Sequence, residues 1–115
     1  MLIKIYICVK HCIRKVIKAK LIKHDRYVKE LVSLIRPNYD SISTHIFLSN
    51  NKRVIGEIDV VAEKNGKIDV FEVKCSYRIY KARQQLRKIK KYLDKPINNF
   101  FFYCGSANLL HLINI

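Results

Sequence analysis

The chain has little of what marks disordered or fibrous proteins. It carries three glycines and two prolines in 115 residues, with no low-complexity tract. Half of its residues are hydrophobic, enough for one small domain with a real core. Long hydrophobic runs are also missing. No stretch approaches the roughly 18 apolar residues of a membrane-spanning helix. The apolar start, Leu2 to Val9, is broken by Lys4 and is followed by no small-residue cleavage site, so an intracellular, non-secreted protein is expected. The four cysteines, Cys8, Cys12, Cys75 and Cys104, form no CxxC pair and read as reduced thiols. Cys8 and Cys12 flank His11 at helical spacing, but no two further zinc ligands stand at a believable distance in sequence.

Acidic residues are also scarce: nine against 23 Lys and Arg, for a net charge of +14. The excess is segmented. Residues 1–24 hold seven bases and no acid, and residues 78–95 hold eight bases and one acid, Asp94. The rest is neutral. A balanced core with two cationic segments suits a polyanionic partner, because each neutralised phosphate releases counterions. An anionic membrane surface is the rival partner for residues 1–24.

Apolar periodicity outlines the elements. Leu2, Ile5, Tyr6, Val9, Cys12, Ile13 and Val16 recur at helical spacing, with Lys10, Arg14, Lys15 and Lys18 off the stripe. This predicts a basic amphipathic helix, with a strand over residues 2–9 as the alternative. A second helix is expected to start near Asp25, a plausible N-cap, unless it runs on from the first; it buries Tyr27, Val28, Leu31, Leu34 and Ile35 and ends at Pro37. Residues 42–48 read as a strand followed by a turn at Ser49-Asn50-Asn51. Residues 54–63 and 67–75 read as strands joined by Asn65-Gly66, the strongest short-range hairpin signal. Residues 78–93 form a helix through Ile79, Ala82, Leu86, Ile89 and Leu93, and residues 98–104 a buried strand. Residues 106–115 are a short apolar tail, for which a helix is one reading. The order α–β–β–β–α–β implies an α/β fold, a mixed central sheet flanked by helices.

The hairpin carries the chemistry. If Asn65-Gly66 is a two-residue loop, cross-strand pairs sum to 131, so Asp59 faces Glu72 and Glu57 faces Lys74. Alternation then puts all four on one side of the sheet. Two carboxylates set opposite one another destabilise a sheet unless their charge is used. A divalent ion between them would neutralise both, and hard oxygen ligands with open positions suit Mg²⁺, with Mn²⁺ as a substitute. Lys74 would point into the same space, to hold or deprotonate a water or to stabilise a charged transition state. An exposed, merely solvated charged face is the competing reading.

The segments Gly56-Glu57-Ile58-Asp59-Val60-Val61-Ala62 and Val70-Phe71-Glu72-Val73-Lys74 resemble the PD-(D/E)XK nuclease superfamily. They are similar in particular to archaeal Holliday junction resolvases and small RecB-like nucleases with a GEID…EVK pattern. The resemblance covers residues 25–104. It implies a restriction-endonuclease-like core in a domain over residues 25–115, with residues 1–24 as a basic N-terminal extension. It further implies that Asp59 and Glu72 hold the metal and that Lys74 is the catalytic lysine. Glu30, on the first core helix, would complete the metal site. Gln85, better placed than Gln84, would be accessory, though the family's Gln-x-x-x-Tyr spacing is absent. Glu57, paired with Lys74, would tune that lysine's charge. The residue before Asp59 is Ile58 rather than proline, and the three C-terminal cysteines of the iron–sulfur subgroup are missing.

The function expected from these features is Mg²⁺-dependent hydrolysis of DNA phosphodiester bonds. Arg78, Lys81, Arg83, Arg87, Lys88, Lys90 and Lys91 would hold the DNA backbone. With no base-reading motif, recognition would be of shape and phosphate, which favours a structure-selective endonuclease. A four-way junction has two-fold symmetry, so a resolvase should be a homodimer. The tail residues Leu109, Leu110, Leu112, Ile113 and Ile115 offer a dimer patch, with core packing as the other reading. The alternatives are a RecB-like nuclease acting on ends, flaps or single strands, and a non-catalytic DNA-binding module of the same fold.

Overall fold

A computed structural model of the chain describes residues 11–115, with residues 11–20 described by backbone alone. The predicted helix over Leu2–Val16 therefore lies largely outside the described residues. Helix α1 spans His11–Ile35 without interruption. Asp25 is consequently not an N-cap, and the boundary expected between residues 24 and 25 falls inside a helix. The reason is local: no glycine or proline occurs before Pro37, so nothing stops propagation. Pro37 acts as expected. It sits in a single 3₁₀ turn, Arg36–Asn38, that closes the helix. None of the described helices is long and apolar enough to cross a membrane.

The strands are β1 (Ser41–Asn50), β2 (Arg53–Lys64), β3 (Lys67–Lys74), β4 (Asn99–Cys104) and β5 (Leu109–Ile113), with helix α2 (Ile79–Tyr92) between β3 and β4. They form one mixed sheet in the order β1-β2-β3-β4-β5. Only β3 and β4 pair in parallel, as a strand pair joined by a helical crossover must be able to do. The first turn lies later than predicted, at Asn51 and Lys52, both in the left-handed region at φ 50° and 63°. Two such residues make a tight hairpin turn, so β1 and β2 each run longer than their apolar stretches suggest. The tail is a strand, not a helix. Asn108, at φ 52°, turns the chain back, and its N–H bonds to Gly105 O at 3.2 Å. Strand β5 then satisfies the backbone groups of β4 that would otherwise be an open edge.

A helix covers each face of the sheet. Tyr27, Val28, Leu31 and Ile35 of α1 pack on Val60, Ala62, Phe71, Val73 and Tyr103. Ala82, Leu86 and Ile89 of α2 pack on the other face, over Ile58, Val70, Phe102 and Cys104. Leu34, expected in the buried stripe, is exposed and lines a surface cavity beside Tyr103. The approach of α1 to the sheet is close. The Tyr27 ring occupies the space that a β-carbon on Gly105 would take.

Alternation fails near Asp59, as well as at the register shift between Leu48 and Ser49. Ile58 and Val61, three residues apart, both pack on the α2 side, whereas Val60 and Ala62 face α1. Strand β1 makes the same switch, since Ile42 faces α1 and Ile46 faces α2. Between those two, His45 takes φ 53°, a left-handed conformation that costs a non-glycine residue about 1–2 kcal/mol. The switch falls at Asp59.

Candidate functional site

The hairpin register is the predicted one where the strands pair. Lys64 opposes Lys67, Val61 opposes Val70, and the ladder continues to Val60 and Phe71. It ends there. One residue further, the Asp59 carboxylate accepts the Val73 backbone N–H at 2.8 Å. A side chain thus takes over where a strand carbonyl would have bonded, and β2 parts from β3. Asp59 and Glu72 are neighbours at this fork rather than ladder partners. Both are buried.

The fork redistributes the four charges expected on one side. Lys74 Nζ lies 3.1 Å from Glu72 Oε2, so these two share a space as their spacing implies. Glu57 does not pair with Lys74. Its carboxylate meets His45 Nδ1 at 3.0 Å, because the switch in facing at residues 58–61 turns it toward β1. His45 Nε2 in turn lies 3.7 Å from Asp25, the residue expected to cap a helix.

Burial dominates the electrostatics of Glu72. Loss of solvent pushes its carboxyl up to about 8, the nearby Asp59 charge pushes the same way, and Lys74 opposes both. Glu72 Oε1 is buried and has no hydrogen-bond donor. His24, on α1, is the second cation of the site. Its Nε2 lies 3.0 Å from Val73 O and 3.5 Å from Asp59 Oδ2. Both neighbours accept, so Nε2 is the donor. The hydrogen bond to Asp59 raises the imidazole to about 8, against the opposing effect of burial.

His24 was not among the residues singled out from sequence, although a signal existed. It stands four residues before Val28 and seven before Leu31, on the same helical stripe. Glu30 lies off that stripe. It is exposed and lines a separate cavity of about 530 Å³ with Arg26, Lys29, Ser33, Leu34, Tyr103 and Asn108. The helix therefore contributes His24 to the carboxylate cluster, and Glu30 stands six residues, or about 9 Å of helix axis, away from that position. Gln85 is half-buried on α2, and none of the cluster's hydrogen bonds or ion pairs involves it.

A cavity of about 490 Å³ opens beside the cluster, lined by Leu21, Lys23, His24, Lys74, Cys75, Ser76 and Arg78. Lys23, Lys74 and Arg78 add their charges to that of His24 along its lining. Of the seven cations expected to hold DNA, Arg78 alone lines this groove. Lys81, Arg87, Lys88 and Lys91 are exposed along α2. Arg83 donates to Asn114 O at 3.2 Å and Lys90 to Ile115 O at 3.0 Å, so these two fasten the tail after β5.

Among the described residues, no three His, Cys, Asp or Glu side chains converge closely enough to hold an ion by themselves. Two carboxylates do converge, and one carries an orphaned buried oxygen. Mg²⁺ uses one or two carboxylates and completes its shell with water and substrate phosphates, so a two-carboxylate set beside a cationic groove fits it. No protein-family model matches the chain, and no curated protein matches it.

Proposed function

We propose that the chain is a metal-dependent deoxyribonuclease that hydrolyses phosphodiester bonds, selective for DNA structure and similar in its site to the PD-(D/E)XK nucleases. One observation carries this reading: buried Asp59 and Glu72 meet at the fork of the β2–β3 hairpin, with Lys74 Nζ 3.1 Å from Glu72. A solvated charged face would leave these groups exposed and apart. Burying two carboxylates costs several kcal/mol per ion unless each is compensated, so the arrangement needs a use.

Asp59 and Glu72 would hold Mg²⁺ or Mn²⁺, which when bound supplies Lewis-acid charge for the scissile phosphate and activates water. The chain's own groups do the rest. Val73 N–H and His24 both hold Asp59 Oδ2. Lys74 presents its ammonium where charge develops on the phosphoryl oxygens. Lys23 and Arg78 bind the phosphates on either side of the cut. A junction-resolving form of this activity requires two copies, and β5 is an open edge that exposes Leu109, Leu110 and Leu112 for a second one.

The test is cleavage of a labelled four-way junction, flap, duplex and single strand with Mg²⁺, Mn²⁺ or EDTA. Metal-dependent cutting that disappears in Asp59→Ala and Lys74→Ala is the expected result. DNA binding without cutting in any metal would overturn the enzyme and leave a binding module.

A further inference from the structure

The residues that follow Lys74 form a second feature. Ser76 and Arg78 line the cationic groove, and Tyr77 lies between them. Tyr77 is held in place: its ring stands edge-on to Phe102 and to His111, each at 5.6 Å between centroids. Phe102 and His111 are themselves stacked, so the three rings form one block. Half of Tyr77 nevertheless remains in solvent. Tyr80, in the first turn of α2, is 82 % exposed, more than any other large apolar side chain among the described residues. Cations flank both rings, Arg78 between them and Lys81 after them. No acid occurs in the first turn of the helix.

The Tyr80 ring gains nothing for the fold, and the half of Tyr77 that does not pack on Phe102 and His111 gains nothing either. Their apolar surface is left in water, and the core of α2 is supplied by Ala82, Leu86 and Ile89. Aromatic rings set among cations beside a phosphate groove match the chemistry of an unpaired nucleotide: a base with a free π-face, carried on an anionic backbone. A base inside a duplex offers no such face. We propose that Tyr77 and Tyr80 form a stacking platform for unpaired nucleotides of the DNA strand that passes the Asp59–Glu72–Lys74 site. The platform rests on the nuclease reading for its location and narrows the substrate to DNA with single-stranded character next to the cut, such as a flap, a frayed end or an open branch point.

Binding is measured on the full chain in EDTA, by anisotropy of a labelled single strand and of a blunt duplex. Tyr80→Ala should weaken single-strand binding roughly tenfold or more, the size of one base–aromatic stack, and leave duplex binding unchanged. Tyr80→Phe should retain the affinity. The chain contains no tryptophan, so Tyr80→Trp places a single indole on the platform. Its fluorescence should be quenched by the single strand and not by the duplex. Equal losses on both DNAs, or no loss with Tyr80→Ala and no quenching with Tyr80→Trp, would overturn the platform. The two readings fail separately. Cleavage that needs Asp59 but ignores Tyr80 removes the platform alone. Single-strand binding through Tyr80 with no cleavage in any metal removes the nuclease and keeps the platform.

Discussion

Glu72 is held in two opposing ways: burial and Asp59 favour its protonated form, and Lys74 favours its charge. Its folded-state carboxyl titrates near 8 against an ordinary 4.5, so folding takes up a proton between those values. Stability from this group is complete below about pH 4.5 and is lost as the pH rises toward 8. His24 adds the same sign over a narrower window, from 6.5 to about 8. The metal-free protein should therefore melt at a lower temperature at pH 8 than at pH 6, and Glu72→Gln should flatten that slope in thermal denaturation across the range. An ion that binds the charged pair should restore the melting temperature at pH 8. His24 also positions Asp59, and groups that orient a metal ligand are each worth about 10–100-fold in metal affinity or activity. His24→Ala should raise the Mg²⁺ concentration needed for half-maximal cleavage by that factor. An unchanged metal requirement would leave His24 with a packing role only. Sequence reading brought Asp59, Glu72 and Lys74 together because their spacing on a hairpin is rigid. It missed His24 because a helix stripe marks burial without saying what chemistry a buried residue meets across the sheet. Glu30 was named from the family resemblance, and the structure puts it on the exposed flank of α1, lining a different cavity.

At the scale of elements, the turns and close approaches define where substitutions will act. Lys52 holds φ 63° in the β1–β2 turn, where a side chain is strained and glycine is not. Lys52→Gly should stabilise the protein by about 1 kcal/mol, visible as a higher urea midpoint with unchanged denaturant slope. Gly105 is the opposite case. Its φ is ordinary, but the Tyr27 ring fills the space beside it. Gly105→Ala should cost about 1–3 kcal/mol by forcing α1 off the β4–β5 corner, and a melting temperature equal to wild type would contradict that contact. The β2–β3 hairpin was legible down to its register, since Asn65-Gly66 allows one loop length and the paired stretch follows from it. The end of the ladder was not legible. It depends on Asp59 bonding Val73 N–H and on the left-handed turn at His45, and neither leaves a mark in hydropathy. Strand β5 was missed for a related reason. Four apolar residues and a histidine carry no period of their own, and what makes them a strand is the unpaired edge of β4.

Across the whole molecule the decisive quantity is charge, +14 on 115 residues, concentrated in residues 1–24 and 78–95. The cations of α2 are not equivalent. Arg78 opens onto the groove beside the carboxylates, while Lys90 is spent on the Ile115 carbonyl at 3.0 Å. Composition alone makes both look like phosphate contacts, and only the folded tail separates them. DNA affinity should fall steeply with salt, with a logarithmic slope close to −0.9 for each phosphate neutralised on duplex and about −0.7 on single strands. Arg78→Ala should reduce that slope by roughly one contact and weaken binding to all sequences alike. Lys90→Ala should leave the slope unaltered and loosen the tail behind β5 instead, seen as faster hydrogen exchange of the β4 and β5 amides. If the two variants lost the same slope, the DNA would lie along the whole of α2, and the groove between Lys23 and Arg78 would have no special claim on it.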